Sequence, residues 1–258
     1  MSPTGTSGER ADPLHRPDGE SYSGRGLHGR LVEHLGRRIV NGALPPGQVI
    51  DLDQFAEEED VSRTVVREAV KVLVGKGLLD ARPKRGTFVR ERSGWSLLDP
   101  EVIRWRSAEQ PDARLLRELS EIRIVLEPVV ARLAAERRSS EEISALWDAL
   151  ARMGDTSMTP VQQIEADLQF HWLLATATRN ELLQQLAGLL QPAQRSRDVL
   201  AFERLGHDHG FLDSHRRVVE NIEMGDPDAA YAAMHELVVA ASEDVDRILG
   251  TQPRQDAS

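Results

Sequence analysis

Cysteine is absent from the 258-residue chain, which excludes disulfides, thiol catalysis and thiolate metal sites and leaves histidine and carboxylate as metal ligands. Long apolar runs are missing too: none approaches the roughly 18 residues of a membrane span, and the first 26 residues lack the apolar centre of a signal peptide. A cytoplasmic protein with no membrane partner is expected. No Gly-rich phosphate loop and no nucleophile motif occurs, and nothing marks one carboxylate as a general base, so little in the sequence favours an enzyme. Lysine does not occur beyond Lys84.

What is present divides unevenly. The formal net charge is −10, yet residues 27–93 hold 12 Lys/Arg against 10 Asp/Glu, whereas residues 94–258 hold 17 against 28. Any phosphate-binding surface therefore belongs to the first segment, with its basic groups focused on one face to outweigh the acidic run Glu57 to Asp60. The length calls for two domains. Residues 1–26, rich in Gly, Ser, Pro and charge, read as a disordered tail, and 250–258 as a flexible one. Between them the sequence predicts a DNA-binding domain over 27–93, a linker over 94–100 and an all-α domain over 101–249.

The first domain carries the sharpest pattern. Leu31, Leu35 and Ile39 mark one amphipathic helix, and Leu52, Phe55 and Ala56 mark a short second one. Ser62 can cap a third, on which Val66, Val70 and Leu73 share a buried face while Arg63, Arg67 and Lys71 share a basic one. That spacing is helix-turn-helix. After Gly77, the segments 78–82 and 87–90 can pair as a hairpin around Pro83–Gly86, a basic wing. An arginine at the start of such a helix can place two donors on a guanine edge, so Arg63 is the expected base reader, with Thr64 and Arg67 beside it. Lys84 and Arg85 at the wing tip would meet phosphate or minor groove, Gly86 would permit close backbone approach, and Ser62 and Lys71 complete the expected DNA-binding set. The second domain punctuates into helices near 101–109, 112–138, 140–153, 160–178, 180–198, 212–224 and 227–249, with breaks at Pro111, Gly154, Asn180 and Gly225-Asp226-Pro227. The fold class is thus mainly α: a winged helix-turn-helix followed by a helical bundle.

The run Val61-Ser62-Arg63-Thr64-Val65-Val66-Arg67-Glu68-Ala69 and the run Arg85-Gly86-Thr87-Phe88-Val89 resemble the recognition helix and wing of the GntR family of bacterial transcription regulators. Asp53 departs from the Glu or Arg frequent there. The remainder resembles the FadR branch, through Glu121 to Pro128, Asp167 to His171, and His215 followed by Gly225-Asp226. Trp95 to Trp105 is similar to the sugar-acid regulators of that branch. The resemblance implies a homodimer on double-stranded operator DNA and a small carboxylate effector such as gluconate or galactonate. It places Arg123 where the family meets a ligand carboxylate, and a guanidinium fork suits that task; a salt bridge to Glu127, one turn on, is the structural alternative.

Asp167 and His171 lie four apart on one helix, and His215 can approach from another, a set suited to a divalent zinc, nickel or manganese ion. By resemblance the fourth ligand should sit 22 residues beyond His215, at Leu237, and His235 faces elsewhere. Asp167, His171 and His215 therefore stand either as metal ligands or as groups that hydrogen-bond the effector directly. Asn180 reads as a helix cap. The leading function is a repressor released from its operator by a carboxylate metabolite. The alternatives are a metal-dependent enzyme acting on a small carboxylate, and an architectural DNA-binding protein without a ligand.

Overall fold

The computed structural model describes residues 26–108, 112–205 and 209–250, so the expected tails up to residue 25 and from 251, and the break at Pro111, lie outside the described residues. Two compact units divide between Ser96 and Leu97, inside the segment expected to be a linker.

In the first unit, α1 (Gly26–Val40) buries Leu31, Val32, Leu35 and Ile39, the stripe that a 3.6-residue period gives. Helix α2 (Leu52–Glu58) starts where the Asp51 carboxylate accepts the backbone N–H groups of Asp53 and Gln54. Helix α3 (Arg63–Gly75) starts at Ser62, whose hydroxyl accepts the Val65 N–H. Val66, Ala69, Val70 and Leu73 of α3 are buried with Phe55 and Ala56 of α2. Strands β2 (Leu79–Arg82) and β3 (Gly86–Val89) form the hairpin, Leu79 opposite Val89 and Arg82 opposite Gly86. A third strand, β1 (Val49–Ile50), pairs antiparallel with β3 to give the order β1-β3-β2. The sequence did not signal β1, because two residues cannot display an alternation; β3 defines it.

Gly77 is the position where a side chain is least tolerable. Its φ is +74°, and a Cβ there would stand 2.2 Å from the Gly94 carbonyl oxygen. The chain leaving the wing returns to this point: the Ser96 N–H donates to the Lys76 carbonyl (2.9 Å), and the Trp95 indole N–H donates to the Arg90 carbonyl (3.0 Å). The segment leaving the wing is thereby laced to the end of α3.

In the second unit the described residues are helical: α4 (Pro100–Ser107), α5 (Ala113–Arg137), α6 (Ser140–Met153), α7 (Pro160–Ala177), α8 (Glu181–Leu205), α9 (His209–Met224) and α10 (Pro227–Ile248). Polar caps set several starts, with capping boxes at Ser139/Glu142 and Thr159/Gln162. The Asn180 side-chain oxygen accepts the N–H groups of Leu182 and Leu183, so Asn180 caps α8 as expected. The core gathers Leu146, Phe170, Leu173, Val218, Val219 and Met234 from α6, α7, α9 and α10, and each such large side chain contributes about 1.5–3 kcal/mol on burial. A smaller cluster of Ile103, Leu115, Leu119 and Ala193 joins α4, α5 and α8. Two boundaries need correction. Helix α8 continues past 198 to Leu205 because Arg197 and Asp198 are buried members of its inner face rather than a polar exit, and α9 begins at His209 rather than 212.

Candidate DNA-reading surface and effector site

On the first unit, burying one face of α3 forces the other outward: Arg63, Thr64, Arg67 and Lys71 are all exposed. Arg63 Nε lies 2.9 Å from Asp53 Oδ1, so the residue that departs from the family pattern is the one that holds the expected base reader. Lys71 pairs with Glu68 at 2.6 Å, which draws its charge back along the helix. Ser62 is exposed at the cap, its oxygen already accepting the Val65 N–H. At the wing tip Lys84 adopts φ +65° and Gly86 φ +79°, which closes the turn between β2 and β3. The Arg85 guanidinium lies 3.8 Å from the Phe88 ring centroid, a cation–π contact that stiffens a side chain expected to reach DNA.

In the second unit the expected effector residues come together. Helix α7 presents Asp167 and His171, α9 presents His215 and α5 presents Arg123, and all four are buried. Nitrogen and oxygen atoms of Asp167, His171 and His215 lie within 4.8 Å of one another. His215 Nδ1 is 2.8 Å from the Phe211 carbonyl oxygen and donates to it, which turns Nε2 toward Asp167 Oδ1 at 3.1 Å. At that separation the two atoms can share a proton or a cation between them. Both Asp167 oxygens and His215 Nε2 are buried without a hydrogen-bond partner, so the residues present fit a divalent ion. Leu237, at the expected fourth-ligand position, is packed into the core, and His235 is exposed, its ring stacked on Tyr231. The protein thus offers three ligands and leaves a position open.

Arg123 donates through Nε to Glu127 Oε1 at 2.6 Å and through Nη2 to Oε2 at 3.2 Å, while the same Nη2 stands 3.3 Å from His171 Nε2. The structural alternative for Arg123 is therefore realised, and a ligand carboxylate would share or displace Glu127. Glu127 Oε2 also lies 3.1 Å from His171 Nδ1, which fixes that nitrogen as the donor and turns Nε2 toward Asp167 at 3.7 Å. Burial works to raise the Glu127 carboxyl, but the Arg123 guanidinium and His171 outweigh it and hold it well below the usual carboxylate range. Burial likewise opposes ionisation of Arg123, and Glu127 reverses the balance.

Helix α8 adds residues that the sequence did not single out. Arg197 Nη2 pairs with Asp198 Oδ1 at 2.5 Å, both buried. Burial, with the neighbouring Asp167 charge, pushes the Asp198 carboxyl well up against the pull of Arg197. Gln194, one turn earlier, is buried and lines a cavity of about 560 Å³, its open mouth included, between α5, α7 and α8. Apart from Arg123, Glu127, His171, Gln191 and Gln194 the cavity wall is mainly apolar, including Leu119, Leu126, Leu183 and Leu190. The available signal was a run of buried-face positions on α8 that changes from Leu and Ala to Gln, Arg and Asp.

Residues 27–89 match the family of bacterial regulatory proteins named gntR, and residues 118–240 match the FCD domain. The chain is 32% identical over 219 residues to the galactonate operon transcriptional repressor of Escherichia coli (strain K12), covering 83% of this chain and 94% of that protein. This chain belongs to the GntR family. It is also 34% identical over 166 residues to the Uxu operon transcriptional regulator of the same organism, covering 61% of this chain and 60% of the relative. The solved structure of Lar, described as controlling the Listeria monocytogenes agr system, shares the fold at TM-score 0.57 and 15% identity, over 86% of this chain and 98% of that one. The GntR chain is accordingly a DNA-binding transcription regulator with a winged helix-turn-helix and an FCD domain, from a family of regulators rather than enzymes. No helix among the described residues is long and apolar enough to cross a membrane.

Proposed function

We propose that this GntR-family regulator is a cytoplasmic homodimeric repressor that leaves its operator when a sugar acid of the gluconate or galactonate type binds the helical unit. Two winged units would place two α3 helices in successive major grooves, which supplies the specificity one unit is too small to reach. Arg63 would read a guanine, Thr64 and Arg67 adjacent base or phosphate, and Ser62, Lys71, Lys84, Arg85 and the Gly86 backbone the sugar-phosphate frame.

The observation that carries the effector half is the buried group of Asp167, His171 and His215 beside Arg123, a set of unpartnered polar atoms too costly to keep for packing alone. Asp167, His171 and His215 would hold a zinc, nickel or manganese ion, which supplies a positive centre for an oxygen-rich anion. Arg123 would take the carboxylate. The relatives named for the galactonate and Uxu operons support the sugar-acid class. Release follows by linkage if the acid favours the dimer conformation that fits two half-sites less well.

The test is operator binding by the purified protein with DNA from its own promoter region, with and without D-gluconate, D-galactonate and related acids. Release by one acid at concentrations that leave unrelated DNA complexes intact is expected. Tight binding indifferent to every acid would overturn the effector assignment.

A further inference from the structure

A carboxylate repels phosphate, yet one stands beside the expected base reader. Asp53 lies in the first turn of α2, Arg63 is the first residue of α3, and Arg63 Nε is 2.9 Å from Asp53 Oδ1. Both backbones are fixed where the pair forms. The Asp51 carboxylate accepts the Asp53 N–H at 2.9 Å, Ser62 caps α3, and the Val61 N–H donates to the Ala56 carbonyl across the turn at 3.0 Å. Both side chains are more than half exposed, so the pair contributes little to stability directly and its effect has to be sought at the DNA.

With Nε engaged by Asp53, the Nη1 and Nη2 groups of Arg63 are left, and side by side they fit guanine O6 and N7. An arginine without such a partner divides its time between the guanine edge and the nearest phosphate, and the phosphate contact carries no sequence information. The first helix of a helix-turn-helix crosses the DNA backbone, so a carboxylate on α2 meets phosphates of any sequence and weakens binding to all of them alike.

We propose that Asp53 is a positioning residue for base readout: it holds Arg63 by Nε, keeps the guanidinium from swinging to a phosphate, and so lowers affinity for DNA in general while raising discrimination at the guanine. The assignment rests on Arg63 as the guanine reader in the function proposed above and names the residue that aims it. Holding the long side chain in the free protein also reduces the freedom it loses on binding. An acidic residue kept only because it suits the start of α2 would leave discrimination untouched, and so would one that merely repels phosphate.

Fluorescence anisotropy of the full chain tests it, with the operator from its own promoter region, the same operator substituted singly at each base, and unrelated duplex DNA. Asp53→Ala should tighten binding to unrelated DNA by about twofold at low salt, because one negative charge fewer faces the phosphates. Discrimination at the base read by Arg63 should fall by about two- to fivefold, the range an exposed ion pair supports. In an Arg63→Ala background the same substitution should remove no further discrimination. Asp53 is exposed, so its truncation leaves no cavity, and each ratio compares two DNAs on one preparation. Tighter binding to every duplex with discrimination unchanged would overturn the positioning role and leave Asp53 a repellent of phosphate. Further loss in the Arg63→Ala background would overturn it too, with Asp53 then reading a base itself, as a carboxylate can at a cytosine amino group. Unchanged discrimination in Arg63→Ala alone would overturn the guanine reading and this assignment together.

Discussion

Zinc should stabilise this protein, and the geometry sets how much. Two of the three ligands, Asp167 and His171, stand one turn apart on α7, and His215 Nε2 lies 3.1 Å from Asp167 Oδ1, so the main rearrangement binding requires is that Arg123 Nη2 withdraw from His171 Nε2. Metal that binds the folded chain and not the unfolded one adds RT ln(1 + [Zn]/Kd), about 2.7 kcal/mol at one hundred times Kd. For a domain of this size each kcal/mol moves the midpoint by about 2–4 °C, so unfolding should shift upward by about 5–11 °C. The assay is thermal unfolding by circular dichroism of EDTA-stripped protein, titrated with zinc. Asp167→Asn, nearly isosteric but without the charge, should lose most of that shift. A midpoint indifferent to zinc in the unaltered protein, or a full response retained by Asp167→Asn, would refute the reasoning.

Arg63→Ala should cost about 1–3 kcal/mol of specific operator affinity and relax one base position, read by binding to a set of singly substituted operators; unchanged discrimination would remove Arg63 from base reading. Glu127→Gln should destabilise at neutral pH, at the low end of about 3–5 kcal/mol because Asp198 and Asp167 also attract the buried Arg123. Because the folded Glu127 carboxyl is held below its unfolded value of 4.5, its stabilisation is complete above that pH and fades as pH falls through and below it. Denaturation curves of the two proteins should therefore converge under acid, and a constant gap from pH 7 to pH 3 would contradict the pairing. Gly77→Ala should cost more than about 1 kcal/mol, since positive φ and the Gly94 carbonyl both oppose a methyl group; an unchanged midpoint would mean that the segment leaving the wing is not laced to α3.

The sequence by itself determined the elements whose signals are local. Ser62 as a cap, the buried spacing of Val66, Val70 and Leu73, and the glycines bounding the wing are written within a few residues of where they act, as are Asn180 and the capping boxes. Periodicity was enough to turn Arg63, Thr64, Arg67 and Lys71 outward, because burying one face of a helix leaves the other to solvent. It was also enough to place Asp167 and His171 on one face of α7. Only the tertiary structure decided what crosses between elements. Strand β1 exists because β3 offers its edge, Asp53 holds Arg63 across the turn between α2 and α3, and Glu127 engages Arg123 and His171 together. The α8 residues Gln194, Arg197 and Asp198 escaped sequence reading for the same reason. A polar side chain on a helix looks like a solvated face until the surrounding helices are known to bury it, and burial is a property of the packed bundle, not of any one segment.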